Sequence, residues 1–216
     1  MNLSYAILTE SDTPKVQQFL KKFFYKDEPL NVCVKLWERE ETIKSLEIYS
    51  TLPIKYNCSL KALNDKNEIV GVCLNKIRTK IETDDVNFED PVFSQIVGIM
   101  EKGDTECKIF EKYPNIDQYL QHDIVSVDPN IRGQGIATKL LDMSRDVAIK
   151  RGIKLLRVDC TSLFSAKAAE RLGFERIYTL KYSDYKINGK QVFKPEEPHT
   201  EFCVYCKRIG WKSSKL

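Results

Sequence analysis

Apolar residues recur along this chain with two periods, and the switches between them lay out its elements. Residues 5 to 10 read as a first strand. Ser11-Asp12-Thr13-Pro14 then opens a helix, with a capping residue ahead of a proline at the first helical position. Val16, Phe19, Leu20, Phe23 and Phe24 give that helix one apolar stripe. Pro29 biases Glu28 away from helical angles, which places a carboxylate at a break between helical segments. The next piece, through about Leu46, carries Val34, Leu36, Trp37, Ile43 and Leu46 and is predicted helical. Ser59 to Leu63 and Ile69 to Ile77 predict two strands joined by Asn64-Asp65-Lys66-Asn67 as a hairpin. The stretch between Arg78 and His122 is too long for a bare loop. Two helices are expected in it, at about Pro91 to Lys102 and Asp104 to Tyr113.

The stretch from Asp123 to Gly152 organises the rest. Asp123-Ile124-Val125-Ser126-Val127 alternates as a strand with a buried face. Asp128-Pro129-Asn130 breaks it, because proline cannot donate to a ladder and Asp and Asn favour turns. Apolar positions then recur at Ile136, Ala137, Leu140, Leu141, Val147 and Ala148, one face of a helix that Gly152 stops. A strand follows over Ile153 to Cys160, then a short helix from about Ser165 to Leu172, ended by Gly173. Phe174 to Tyr182 reads as a strand, Asn188-Gly189 as a turn, and Glu201 to Ile209 as a last strand. Strands mixed with helical connections, and no linker or repeat, predict one domain over residues 1–216 of α/β (α+β) class, with a mixed sheet.

Composition changes little in this picture. The chain has 216 residues, 30% of them charged and 42% hydrophobic, as in ordinary globular proteins. A net charge of +3 is too mild to argue for nucleic acid or a membrane surface as a partner. No apolar run reaches the length of a membrane span. MNLSYAILTESD lacks the basic start and cleavage site of a secretory signal, and the closing Ser-Ser-Lys-Leu is not a prenylation box. A cytoplasmic monomer is expected. The 7 cysteines are scattered and read as free thiols in a reducing compartment. Cys203-x-x-Cys206 has no second pair, and residues three apart on a strand face opposite ways, so no metal is expected.

The candidate chemistry begins at Arg132-Gly133-Gln134-Gly135-Ile136-Ala137. Two glycines let the backbone turn and approach a ligand closely. The first amides of the following helix lack intrahelical partners, the helix dipole adds partial positive charge, and Arg132 adds a full one. A diphosphate fits there, and an ordinary strand–turn–helix fits as well. G-x-x-x-x-G-K-[ST] is absent, and Thr138 stands where a dinucleotide fingerprint needs its third Gly or Ala.

The hexapeptide resembles the R/Q-x-x-G-x-G/A signature of the GNAT N-acetyltransferase superfamily, and it follows a strand ending Val-Asp-Pro as it does there. Ser165 to Phe174 resembles the short helix ending in Gly-Phe that flanks coenzyme A in that superfamily. Phe23-Phe24-Tyr25-Lys26-Asp27-Glu28-Pro29-Leu30-Asn31 is similar to the FFxKDEPLN segment of insect arylalkylamine (dopamine-type) N-acetyltransferases. Cys160-Thr161-Ser162-Leu163-Phe164-Ser165-Ala166 is similar to their CSSxYSA run, and Tyr185 to His199 to their C-terminal region. The resemblance implies a mostly antiparallel central sheet flanked by helices, with a helical insertion before the central strand. It implies acetyl-CoA as co-substrate, held by Val125, Ser126 and Val127 at the strand end, by residues 132 to 137 and by Ser165 and Lys167. Its partner would be a small-molecule primary amine, contacted by Tyr25, Asp27, Pro29 and His199.

In that likeness Glu28 matches the catalytic base, and Thr161 and Ser165 a serine pair near the thioester. Threonine at 161 keeps the hydroxyl but stiffens the side chain. A tyrosine general acid used elsewhere in the superfamily would fall on Ala169. The histidine pair of vertebrate arylalkylamine enzymes would fall on Gln121 and Asp123. His122, between them, faces the other way and is assigned a structural or surface role. The chemistry expected is direct attack by the amine with both substrates bound. An alkylammonium must first lose a proton, and a carboxylate serves better as base when burial raises its pKa or waters relay the proton. A strand-end amide near Val127 is the candidate for holding charge on the carbonyl oxygen. Ser165 first, then Thr161, is the candidate donor to the leaving sulfur. Phe23 and Phe24 are assigned to the core. Asp27, Glu28, Asp84, Asp85, Glu89 and Asp90 keep a polycationic acceptor such as a polyamine or agmatine open. Protein acetylation and non-catalytic acyl-CoA sensing are the remaining alternatives.

Overall fold

The alternations resolve into strands and helices in a computed structural model, which describes residues 2–81 and 90–210. Asp84, Asp85, Glu89 and the Ser-Ser-Lys-Leu end lie outside the described residues. In chain order the strands are β1 (Ser4–Ile7), β2 (Leu60–Leu63), β3 (Ile69–Thr79), β4 (Gln118–Val127), β5 (Leu155–Cys160), β6 (Glu175–Lys181), β7 (Lys186–Ile187), β8 (Lys190–Gln191) and β9 (Glu201–Arg208). The helices are α1 (Thr13–Phe23), α2 (Pro29–Cys33), α3 (Glu40–Thr51), α4 (Pro91–Cys107), α5 (Ile109–Lys112), α6 (Ile136–Lys150) and α7 (Leu163–Arg171). Seven strands form one sheet in the order β1-β2-β3-β4-β5-β9-β6, and β7 and β8 make a separate hairpin. All neighbours are antiparallel except β4 and β5. The mixed, mostly antiparallel sheet flanked by helices is the predicted one.

Each sheet face has its own core. Val72, Leu74, Ile124, Phe202 and Val204 pack with Val16, Phe19 and Leu20 of α1, Leu46 of α3 and Phe93, Ile96 and Ile99 of α4. On the opposite face, Cys73 and Val127 pack with Ile136 and Leu140 of α6. Leu120, Leu156, Cys160 and Tyr205 pack there with Ala166 and Ala169 of α7. Cys203 and Cys206 fall in different clusters, as strand alternation requires, and the seven cysteines are free.

Two helical predictions need correction. The piece through Leu46 is broken: α2 ends at Cys33, Lys35 has a left-handed φ of 50°, and a 3-10 turn over Leu36–Glu38 precedes α3. The insertion holds one long helix and one short one, because α4 runs through Gly103 to Cys107. Gly103 is where a break was expected. There, a β-carbon would lie 2.5 Å from the Phe202 ring, so the absent side chain lets α4 lie against β9. Asp104, next to it, ion-pairs with Arg78 at 2.9 Å and with Arg157. Arg157 also grips Asp159 through two nitrogens, at 2.7 and 2.8 Å.

The central strand begins at Gln118, earlier than predicted, and is not regular. Leu74 pairs with Ile124 and Asn75 with His122, so Asp123 is an extra residue. The bulge puts Asp123, paired with Lys76 at 3.3 Å, on the same face as Ile124. Burial pushes the Asp123 carboxyl up to about 6 against the pull of Lys76. Past the bulge the phase is shifted, and Val125 and Val127 share the α6 face with His122.

Candidate active site

The bulge also bends β4, and the consequence lies at its neighbour. β4 and β5 share three register pairs, Leu120–Leu156, Gln121–Arg157 and His122–Val158, and then part. β4 continues to Val127 against β3, while β5 stays with β9 as far as Cys160. A cavity of about 820 Å³ occupies the wedge, lined by segments far apart in the chain.

One wall comes from a single run of sequence. Asp128 accepts from the Asn130 amide at 2.9 Å and caps a 3-10 turn, and Arg132 Nε donates to the Val127 carbonyl at 3.3 Å. Gly133 and Gly135 have φ of 81° and 76°, a region that costs other residues about 1–2 kcal/mol. Gly135 is also the N-cap of α6, and no side chain caps the helix there. The first α6 amides and the positive end of the dipole therefore face a space where a β-carbon on either glycine would meet no atom within 4 Å. Val125, Ser126, Val127, Arg132, Gly133, Gly135, Ile136 and Ala137 all line the cavity. This cradle fits a diphosphate, and the strand edge beside it fits a ligand arm with amides of its own.

The other wall is made of side chains. Glu28 is the N-cap of α2, just before Pro29, and its Oε2 accepts from the Asn31 amide at 2.7 Å. Oε1 is buried with no hydrogen bond of good geometry. Burial raises the carboxyl pKa, and the Asn31 amide, the nearby Thr161 hydroxyl and the Leu30 amide oppose the rise. Ser162, not Ser165, is the N-cap of α7. It accepts from the Ser165 amide at 3.0 Å, and the two hydroxyl oxygens are 2.9 Å apart. Burial pushes the nearby Cys160 thiol up to about 12, against the pull of the Ser165 hydroxyl. His199 Nδ1 accepts from the Leu163 amide at 3.1 Å, so the ring proton sits on Nε2. The Phe164 ring, 65% exposed, stands edge-on to that imidazole at 5.2 Å.

The cavity thus brings together most of the residues predicted from sequence, Asp27, Glu28, Pro29, Ser165 and His199 among them. Tyr25 is elsewhere: it is 3% exposed, with its hydroxyl 2.7 Å from that of Ser50, in the core beneath α1 and α3. Lys167 and Gln134 are exposed and outside the lining, and Thr161 is also outside it, its carbonyl accepting from the Tyr182 hydroxyl at 2.7 Å and its hydroxyl near Glu28. Phe23 and Phe24, assigned to the core, pack against it and also line the cavity, together with Ser162 and Phe164. Helical periodicity cannot separate a stripe that meets a sheet from one that meets a cavity. His122 is also a lining residue, 1% exposed, which rules out a surface role. Among the described residues no three His, Cys, Asp or Glu side chains are grouped to hold a metal ion. No helix among them is long and apolar enough to cross a membrane.

The family model described as Acetyltransferase (GNAT) family matches residues 37–174. The chain belongs to this family. The GNAT fold is matched across nearly the whole chain by arylalkylamine N-acetyltransferase 2 from Aedes aegypti, 28% identical, with a TM-score of 0.89 over 97% of this chain and 100% of that one. Drosophila melanogaster polyamine N-acetyltransferase, described as catalysing the formation of N-acetylagmatine, is 21% identical, with a TM-score of 0.87 over 96% and 100%. A mosquito arylalkylamine N-acetyltransferase-like protein, 5b, is 21% identical, with a TM-score of 0.85 over 96% and 100%. As a GNAT acetyltransferase the protein takes acetyl-CoA as its acyl donor, and the uncapped α6 N-terminus beside Arg132 suits the donor's diphosphate.

Proposed function

We propose that the protein acetylates the primary amine of a small arylalkylamine, of the dopamine, serotonin or tyramine kind, by direct attack with both substrates bound. The observation that carries this reading is the buried Glu28 carboxylate with an unpartnered oxygen, in the same cavity as the α6 N-terminus. An amine with pKa about 10 arrives protonated, and a carboxylate whose pKa burial has raised is a better match for that proton. The negative charge also draws the ammonium in. Ser165, held by its bonds to Ser162, is the first candidate to hydrogen-bond the departing sulfur. Holding two reactants together accounts for much of the rate by itself.

The aromatic acceptor is favoured by Phe23, Phe24, Phe164 and the His199 ring on one cavity, and by likeness to the 28% identical arylalkylamine enzyme. A second reading rests on Asp27, which adds another carboxylate to the same lining and would suit a dication such as agmatine. Assays with acetyl-CoA and dopamine, serotonin, tyramine, histamine, spermine and agmatine decide between them. Arylalkylamines are expected to give the highest kcat/KM. Agmatine or spermine ahead of every aromatic amine would transfer the assignment to the polycationic class.

A further inference from the structure

His122 lines the cavity, and the reaction proposed for Glu28 and Ser165 leaves its imidazole without a role. Its environment fixes which nitrogen carries the proton. Asn75 Nδ2 donates to the Cys58 carbonyl at 2.7 Å, which orients that amide and turns its Oδ1 toward His122 Nδ1, also at 2.7 Å. The Cys73 thiol lies 3.2 Å from the same oxygen, and the Ser144 hydroxyl 3.5 Å from Nδ1. A carbonyl oxygen only accepts, so Nδ1 is the ring's N–H and Nε2 carries a lone pair. Burial holds the ring neutral, its pKa pushed down to about 4.

Nε2 has no hydrogen-bond partner in the protein. Nδ1 is turned to β3, so Nε2 lies on the far side of the ring, toward β5 and the Phe174 ring, whose centroid is 6.2 Å away. His122 and Val158 form the last pair before β4 and β5 part, and both line the cavity with Leu172 and Phe174. A buried acceptor left without a donor is costly, and natural proteins keep few of them. Here the acceptor stands at the head of the wedge, and an acyl donor lying there would bring two amide N–H groups to it.

We propose that His122 is a positioning residue for acetyl-CoA, its Nε2 accepting a hydrogen bond from an amide N–H of the pantetheine arm. The ring is held for that contact by Asn75. The inference rests on coenzyme A lying in this cavity, and it is independent of which amine is acetylated.

Two substitutions separate the ring's nitrogens. His122→Asn keeps a group near Nδ1 for Asn75 and removes the acceptor, and His122→Gln places an amide near Nε2. Binding of coenzyme A, desulpho-coenzyme A and adenosine 3′,5′-bisphosphate is measured by calorimetry for all three proteins. His122→Asn is expected to bind both forms of the coenzyme about five- to tenfold more weakly and the bisphosphate unchanged, with His122→Gln near wild type. With only 2 histidines in the chain, nitrogen-15 histidine labelling gives a second readout. The unprotonated nitrogen of His122 is expected to shift upfield with coenzyme A and not with the bisphosphate. Unchanged coenzyme A affinity in His122→Asn, or an equal loss for the bisphosphate, would overturn this role alone. A loss confined to the thiol-bearing form would overturn the amide as donor. Wild-type protein that bound none of the three would overturn the placement of the cofactor as well.

Discussion

The two walls of the cavity are built by different means. The donor wall is mainly backbone: one strand end, one turn and the first amides of α6, within Val125 to Ala137, with the Arg132 and His122 side chains beside them. The acceptor wall is side chains: Phe23, Phe24, Asp27 and Glu28 from the α1–α2 junction, Ser162, Phe164 and Ser165 from the start of α7, and His199 from the loop before β9. A wall of amides recognises what all acyl-CoA molecules share. A wall of side chains changes its preference with each substitution, so one fold can serve many acceptors. Chemistry specific to this chain should therefore be lost on the acceptor side without loss of cofactor affinity, and the converse should hold on the donor side.

Three substitutions bear on this contrast, in decreasing order of effect. Glu28→Gln should lower kcat/KM at neutral pH by about 100-fold or more, as expected for loss of a general base, with coenzyme A affinity unchanged. Since burial raises the Glu28 pKa, the base is protonated and activity falls at a higher pH than an ordinary carboxylate would give. That acid limb should vanish from the pH–rate profile of the variant and leave only the rise from amine deprotonation. Unchanged turnover would remove Glu28 from the chemistry. Gly135→Val, measured by calorimetry with coenzyme A, should weaken binding about tenfold or more, from strain at φ 76° and a side chain in the diphosphate space. Turnover at saturating donor should change much less; a variant that binds normally but turns over slowly would contradict the division of labour. Ser162→Ala should cost about 1 kcal/mol through loss of the α7 cap, seen as a fall in Tm of about 2–4 °C. A drop in activity larger than that in stability would place the Ser162 hydroxyl in the reaction.

The same contrast explains what could be read from the residues alone. The strand, turn and helix from Asp123 to Gly152 are local, their glycines and proline acting on neighbours, and they were legible. The positions of Glu28, Ser165 and His199 on one cavity came from likeness to a family, since nothing in their spacing brings three distant segments together. What escaped was tertiary. Tyr25 and Phe24 are adjacent, yet one faces Ser50 in the core and the other the cavity. The bulge at Asp123 leaves no mark in a run that alternates correctly, and it shifts the phase of everything after it. Gly103 looked like a helix end and is instead a point of contact with Phe202.

The three rungs between β4 and β5 carry a last consequence. Strands on either side of that seam are knitted to their own neighbours by many pairs, and to each other across the gap by Leu120 to His122 alone. A slender molecule with amides of its own, threaded into the seam, would do the work of a short eighth strand. An acyl donor bound there would be part of the architecture as well as the chemistry. Its arrival should stiffen the far ends of both strands and slow proton exchange there before any amine is met.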